Sequence, residues 1–257
     1  MNRKKFILAT DLDGTFLGGS DADRHELYSW IEANRVDVGL IFVTGRDPQF
    51  IEGLCGDFVP WPDFVVGDVG TTIAEVITDK SKPTSHRSVR PIAPLEAEIS
   101  ARWSGASQRI QTLLETAPGL ALQETPFRYR VSYHYDPTTY DPTAERMVRE
   151  LGYDVLISDN RFFDVLPKGV SKGPSLRRLL SHLAVADDRV LVAGDTLNDL
   201  SLFETGLMGV AVSNSEPELI CRLSDNSRTF RASRPGAAGI AEGIQHFSFH
   251  TITGVYV

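Results

Sequence analysis

The chain has 257 residues, 42% hydrophobic and 23% charged, a globular composition long enough for one large domain or two smaller ones. A formal net charge of −8 and an isoelectric point near 5.3 argue against general binding to nucleic acid or anionic membranes, so an anionic substrate would need a local positive site. The two cysteines, Cys55 and Cys221, form no disulfide framework or zinc pattern and point to a reducing compartment.

The first residues carry a short basic stretch and then only about four apolar residues before Asp11, too few for a signal peptide, and no stretch approaches a membrane span. A cytoplasmic protein is expected. Phe6–Thr10 is the first predicted strand, followed by a helix over 22–34 with Leu27, Trp30 and Ile31 on one face. Val38–Val43 is a near-continuous apolar run, as expected of a strand covered on both sides, and it ends in Thr44-Gly45-Arg46. A short helix after Pro48 and a strand over 63–66 follow. This alternation predicts an α/β fold, a Rossmann-like doubly wound parallel sheet.

From 78 to 90 the chain is polar and reads as a linker. Beyond it the pattern changes to a helix over 95–116, strands over 120–124 and 129–135, and a helix over 141–151. A hairpin over 154–158 and 162–166 turns at Asp159-Asn160-Arg161. This middle part is expected to be an inserted α+β cap domain over 80–168, with the core built from 1–79 and 169–257. The α/β style then returns: a helix over 171–183, a strand over 190–193 ending in Gly194-Asp195, and a short helix over 198–204. A strand over 209–212 and helices over 216–223 and 236–246 complete it. The closing residues 251–257 are apolar and β-like.

Open α/β sheets bind ligands beyond the carboxyl ends of their strands. Asp11-Leu12-Asp13-Gly14-Thr15, Thr44-Gly45-Arg46 and Gly194-Asp195-Thr196-Leu197-Asn198-Asp199 all occupy such ends, and Lys172 opens a helix. Singly, each has a plain structural explanation: a turn, a solvated lysine, a helix cap. Together, in this order, they suggest phosphoryl transfer. Asp11 would attack phosphorus and Asp13 would serve as acid and then base. A site of hard oxygen ligands suits Mg2+, with carboxylates from Asp11 and Asp195, the backbone carbonyl of Asp13, and Asp199 as ligand or neighbour. Thr44 and the backbone N–H groups after it would hold phosphoryl oxygens, and Lys172 would balance developing charge.

With these motifs the chain resembles the haloacid dehalogenase superfamily of aspartate-nucleophile phosphatases, and the likeness spans the whole chain. An insertion between Thr44 and Lys172 resembles the larger α/β cap of that superfamily. Within it the chain is most similar to sucrose-phosphate phosphatases, with mannosylfructose-phosphate phosphatases close behind. The stretches that carry this are 69–73, 130–134, 164–173 and 212–219. Two departures are Arg130, where these phosphatases usually carry Lys, and the absence from this sequence of the plant enzymes' additional C-terminal domain.

The resemblance implies a Mg2+-dependent sugar phosphatase acting on sucrose 6-phosphate, with mannosylfructose phosphate as the alternative. A phosphomutase or a non-catalytic sugar-phosphate sensor stands further off. It implies that Thr44, Gly45, Arg46, Lys172 and Asn198 hold phosphate, and that Gly70, Thr71, Arg130, Ser132, His134 and Asn214 line a sugar pocket. By pattern alone, Arg130, Ser132 and His134 share one face of a strand, which suits a solvated face as well as a pocket. Trp103 reads as helix core rather than a sugar platform, and Lys168 fits the phosphate less well than Lys172. A sugar-phosphate synthase is a candidate partner, and a monomer or weak dimer is expected.

Overall fold

The computed structural model describes residues 1, 3–56, 58–79, 86–125, 128–223 and 227–249. The apolar closing stretch 251–257 lies outside them. The chain runs β1 (Phe6–Thr10), α1 (Asp21–Ala33), β2 (Val38–Val43), α2 (Pro48–Leu54), β3 (Phe64–Gly67), β4 (Thr72–Asp79) and β5 (His86–Pro91). Next come α3 (Ala93–Trp103), α4 (Ser107–Leu114), β6 (Leu120–Leu122), β7 (Val131–Tyr135), α5 (Thr143–Glu150), β8 (Tyr153–Ser158) and β9 (Phe162–Pro167). It ends with α6 (Lys172–His182), β10 (Val190–Gly194), α7 (Leu200–Phe203), β11 (Met208–Ala211), α8 (Pro217–Arg222), β12 (Thr229–Arg231) and α9 (Gly236–His246).

Eight strands form one sheet in the order β12-β11-β10-β1-β2-β3-β4-β5, parallel from β12 to β3 and antiparallel at β4 and β5. Side chains alternate across it, as strand geometry requires. Phe6 and Leu8 join a core with α1 and α9, while Ile7 and Ala9 join another with α3, α6 and α7. Hence β1 and β2, buried on both faces, are continuous apolar runs. The second sheet, β6-β7-β9-β8, is antiparallel and covered on one face by α4 and α5. Val131, Tyr133, Phe163 and Val165 point into that smaller core, where Trp103 is buried as well.

Two expectations need correction. Of the polar stretch read as a linker, 86–90 belongs to β5, and 80–85 lies outside the described residues. An edge strand buries little, so Arg87 and Arg90 stay exposed around the buried Val89, and the composition mimics a linker. The single helix over 95–116 is two helices, broken where Ser104 and Gly105 take φ of +50° and +69°. Leu95 and Ile99 pack in the larger core and Ile110 and Leu114 in the smaller one. The apolar contacts of the chain thus pass from the larger core to the smaller one between Ile99 and Trp103.

Candidate active site

Strands β10, β1 and β2 lie side by side and parallel, so the residues that follow them converge at one edge: Asp195, Asp11 and Thr44. Lys172, fully buried at the start of α6, points its ammonium into the same place. Its Nζ donates to Asp11 Oδ1 at 2.7 Å, Asp199 Oδ1 at 2.6 Å and Asn198 Oδ1 at 2.5 Å. Asp199 Oδ2 accepts from the backbone N–H groups of Asp195 and Thr196 at 3.0 and 3.1 Å. Both oxygens of Asp199 are thus engaged by protein donors, and it braces Lys172 and the Asp195 loop.

Asp195 is braced from two sides. Thr15 Oγ1 donates to its Oδ1 at 2.7 Å, and Asn214 Nδ2 lies 3.4 Å from its Oδ2 while donating to the Gly14 carbonyl at 3.0 Å. Gly14 takes φ +79°, and a Cβ there would fall 2.1 Å from Asp195 Oδ2, so only glycine lets this turn close on the carboxylate. Glu216 supports the loop from behind by accepting from Leu197 N at 2.7 Å.

Oxygens of Asp11, Asp195 and Asp199 lie within 4.8 Å of one another, and all three residues are buried. Burial pushes the Asp11 carboxyl well above its usual range against the pull of Lys172, and the Asp199 and Asp195 charges push it further. Asp195 rises to about 7, from burial first and Asp199 second. Burial works against the Lys172 ammonium, yet Asp11 and Asp199 outweigh it and hold the group charged. Three carboxylates around one ammonium leave negative charge that a divalent cation would neutralise, and the donors are all oxygen. The cluster fits Mg2+.

Asp13 sits apart from this cluster. Its exposed carboxylate forms a two-pronged ion pair with Arg46, whose Nε and Nη2 lie 2.9 and 3.0 Å from its oxygens and whose guanidinium stacks on Phe50. Thr44 is fully buried, and its hydroxyl accepts from Arg46 N at 3.1 Å.

The smaller unit reaches the site through Arg130. One terminal nitrogen donates to Ser132 Oγ at 2.9 Å and Asp164 Oδ1 at 3.0 Å; the other lies 3.3 Å from the Gly45 carbonyl and 3.5 Å from Asp68 Oδ1. Ser132 also donates to Asp164. His134 shares the strand face of Ser132 but is exposed beside Phe162.

Several expected ligand contacts are occupied by protein instead. Asn198 holds Lys172, and Asn214 holds the Gly14 turn. Thr71 is buried with its hydroxyl on the Asp68 carbonyl, and Gly70, at φ +96°, lets the chain approach the Ser171 backbone. Lys168 pairs with Asp154 at 2.8 Å. Thr15, Asp68, Asp164 and Glu216 escape sequence reasoning. Thr15, Asp164 and Glu216 stand inside stretches quoted above, so adjacency to a motif was the signal available for them.

A doubly wound sheet with carboxylates and a threonine at these strand ends, a buried lysine at the start of α6 and an inserted α+β unit defines a phosphatase of the haloacid dehalogenase superfamily. Comparison with known proteins narrows the class. Residues 4–248 match the sucrose-6F-phosphate phosphohydrolase family. The chain belongs to that family. It is 40% identical over 245 residues to the glucosylglycerol-phosphate synthase of Pseudomonas anguilliseptica, covering 95% of this chain but only 31% of that protein's length. It is 28% identical to the mannosylfructose-phosphate phosphatase of Agrobacterium fabrum, covering 95% and 97% of the two chains. The sucrose-phosphatase of Synechocystis sp. PCC6803, solved with sucrose and phosphate, superposes with a TM-score of 0.82 at 28% identity, covering 95% of this chain and 98% of that one.

Proposed function

We propose that this phosphatase hydrolyses a disaccharide phosphate, sucrose 6-phosphate first among them, through an aspartyl-phosphate on Asp11. The observation that carries the chemistry is Asp11 itself, buried at the end of β1 and held 2.7 Å from the Lys172 ammonium. An oxygen of Asp11 attacks phosphorus, and the ester oxygen leaves as the sugar hydroxyl, taking its proton from Asp13. Asp13 then accepts a proton from water as the water oxygen attacks phosphorus, which frees phosphate and regenerates Asp11. In the resting arrangement Arg46 occupies the Asp13 carboxylate; an incoming phosphate dianion competes for that guanidinium, and the released carboxylate takes up from water the proton that it then gives to the leaving oxygen. Lys172, held charged by its two carboxylate neighbours, counters charge developing on the phosphoryl oxygens.

Mg2+ would be held by Asp11, Asp195 and the Asp13 main-chain carbonyl, with Asp199 behind them. When bound it offsets repulsion between the anionic nucleophile and the anionic substrate. The unit from Trp103 to Pro167 would serve as the cap, excluding water and selecting the sugar.

A second substrate is favoured by one observation, the 40% identity to a glucosylglycerol-phosphate synthase. Glucosylglycerol phosphate therefore stands as the alternative, and a synthase that makes the phosphorylated glycoside as the candidate partner. The test is phosphate release with Mg2+ from sucrose 6-phosphate, glucosylglycerol phosphate, mannosylfructose phosphate, trehalose 6-phosphate, glucose 6-phosphate and fructose 6-phosphate, with Asp11→Asn as the blank. A lead of about tenfold in kcat/KM for sucrose 6-phosphate supports the first reading. The same lead for glucosylglycerol phosphate replaces it with the second. A requirement for a bisphosphate activator would mean a mutase.

A further inference from the structure

We propose that Arg130 and Asp68 are positioning residues through which the seat of the smaller unit on the larger one sets the geometry of the Thr44–Arg46 loop. The inference rests on reading that loop as the phosphate-holding one.

The guanidinium of Arg130 divides its donors between the two units. Nη1 serves Ser132 and Asp164, which face each other in register on β7 and β9. Nη2 serves the Gly45 carbonyl and Asp68 on the larger unit. A rigid planar fork fixes these two sets of partners relative to each other, which a lysine's single ammonium does not do. The group is well shielded, with side-chain exposures of 12% for Arg130, 13% for Asp68 and 5% for Asp164. Little solvent screening is left to weaken the contacts.

The receiving end is also tightly specified. Asp68 N donates to the Arg46 carbonyl at 3.0 Å and Val69 N to the Thr44 carbonyl at 3.1 Å, so residues 68–69 are tied to both sides of Gly45. Asp68, Val69 and Gly70 take φ of +51°, +59° and +96° in succession. A β-branched residue is a genuine outlier in that region, and such strain persists only where the surroundings over-determine it. Thr72 Oγ1 adds a bond to Asp68 Oδ2 at 2.7 Å, leaving the other oxygen for Arg130.

Peptide planarity supplies the link to the site. The Gly45 carbonyl and the Arg46 N–H belong to one trans peptide and point in opposite directions. Drawing the carbonyl toward Arg130 therefore turns the Arg46 N–H toward Thr44, where it is found 3.1 Å from the hydroxyl. Displacing Arg130 frees that peptide to rotate.

The test uses full-length protein carrying Asp68→Asn or Arg130→Lys, with two readouts. Amide exchange is followed by mass spectrometry without substrate, in peptides covering 44–46 and 129–134. Steady-state kinetics are measured on the best sugar phosphate. Both variants should speed exchange in both peptides, with an unchanged melting profile elsewhere. KM should rise about tenfold, the size of one lost charge-assisted hydrogen bond, with a smaller change in kcat. Unchanged exchange at 44–46, or wild-type behaviour of Arg130→Lys, overturns the proposal. Should Asp68→Asn fail to fold, Arg130→Lys decides alone. Exchange needs no turnover, so the outcome stays separate from the substrate reading, which the panel of sugar phosphates tests by itself.

Discussion

Lys172 is the residue on which the floor of the site depends. Its ammonium has no exposure and faces Asp11 and Asp199. Replacing it with Met leaves two buried carboxylates uncompensated, and breaking such a pair from one side costs roughly 3–5 kcal/mol. Urea denaturation without Mg2+ should show that loss. Asp11→Asn works the other way on stability, because it removes one charge from a crowded acidic cluster. It should leave the cation-free melting temperature equal or higher while turnover falls on the order of a thousandfold or more. Asp195 supplies the pH dependence. Its folded value of about 7 lies above the ordinary carboxylate range, so between the two the folded state holds a proton that the unfolded chain has released. Stability of the cation-free protein from this group therefore declines as pH rises through that window. A divalent cation competes with the same proton, so Mg2+ should raise the melting temperature more at pH 8 than at pH 6. Equal shifts at the two pH values would refute this.

At the scale of elements, the turn between β1 and α1 shows how a short segment fixes a distant one. Gly14→Ala would place a methyl where Asp195 Oδ2 now lies and force φ +79° on a residue with a Cβ. The strain alone is of order 1–3 kcal/mol, and Asp195 must move as well. Calorimetric titration should show Mg2+ affinity reduced at least about tenfold, with the fold retained by circular dichroism. Elements buried on both faces were the legible ones. β1, β2 and α9 fall where their apolar patterns place them, because a covered strand or an amphipathic helix writes its period into the sequence. β5 and β12 were not legible. Each lies at an edge of the sheet and buries too little to show a period. The break at Ser104–Gly105 was hidden for another reason: the apolar spacing continues through it, although the two halves serve different cores.

At the scale of the molecule, the smaller unit has a core of its own, centred on Trp103, Val131, Tyr133 and Phe163. Phe163→Ala there should cost about 3–5 kcal/mol. If this unit selects the sugar while the larger one does the chemistry, kcat/KM for sugar phosphates should fall well before hydrolysis of p-nitrophenyl phosphate does. Parallel loss of both activities would contradict that division of labour.

Sequence alone determined the superfamily and the α/β core with its inserted unit, and it singled out Asp11, Thr44, Lys172 and Asp195 as candidates. Each of these stands immediately after an apolar strand or at the start of a helix, so its place in a parallel sheet follows from local pattern. Only the tertiary structure decided which neighbour each polar group keeps. Asn198 turns to Lys172, Asn214 to Gly14, Arg46 to Asp13, and Arg130 reaches Asp68 and Gly45, 62 and 85 positions away. No periodicity records such pairings, because a buried charge takes whichever partner the packed chain brings within hydrogen-bonding reach.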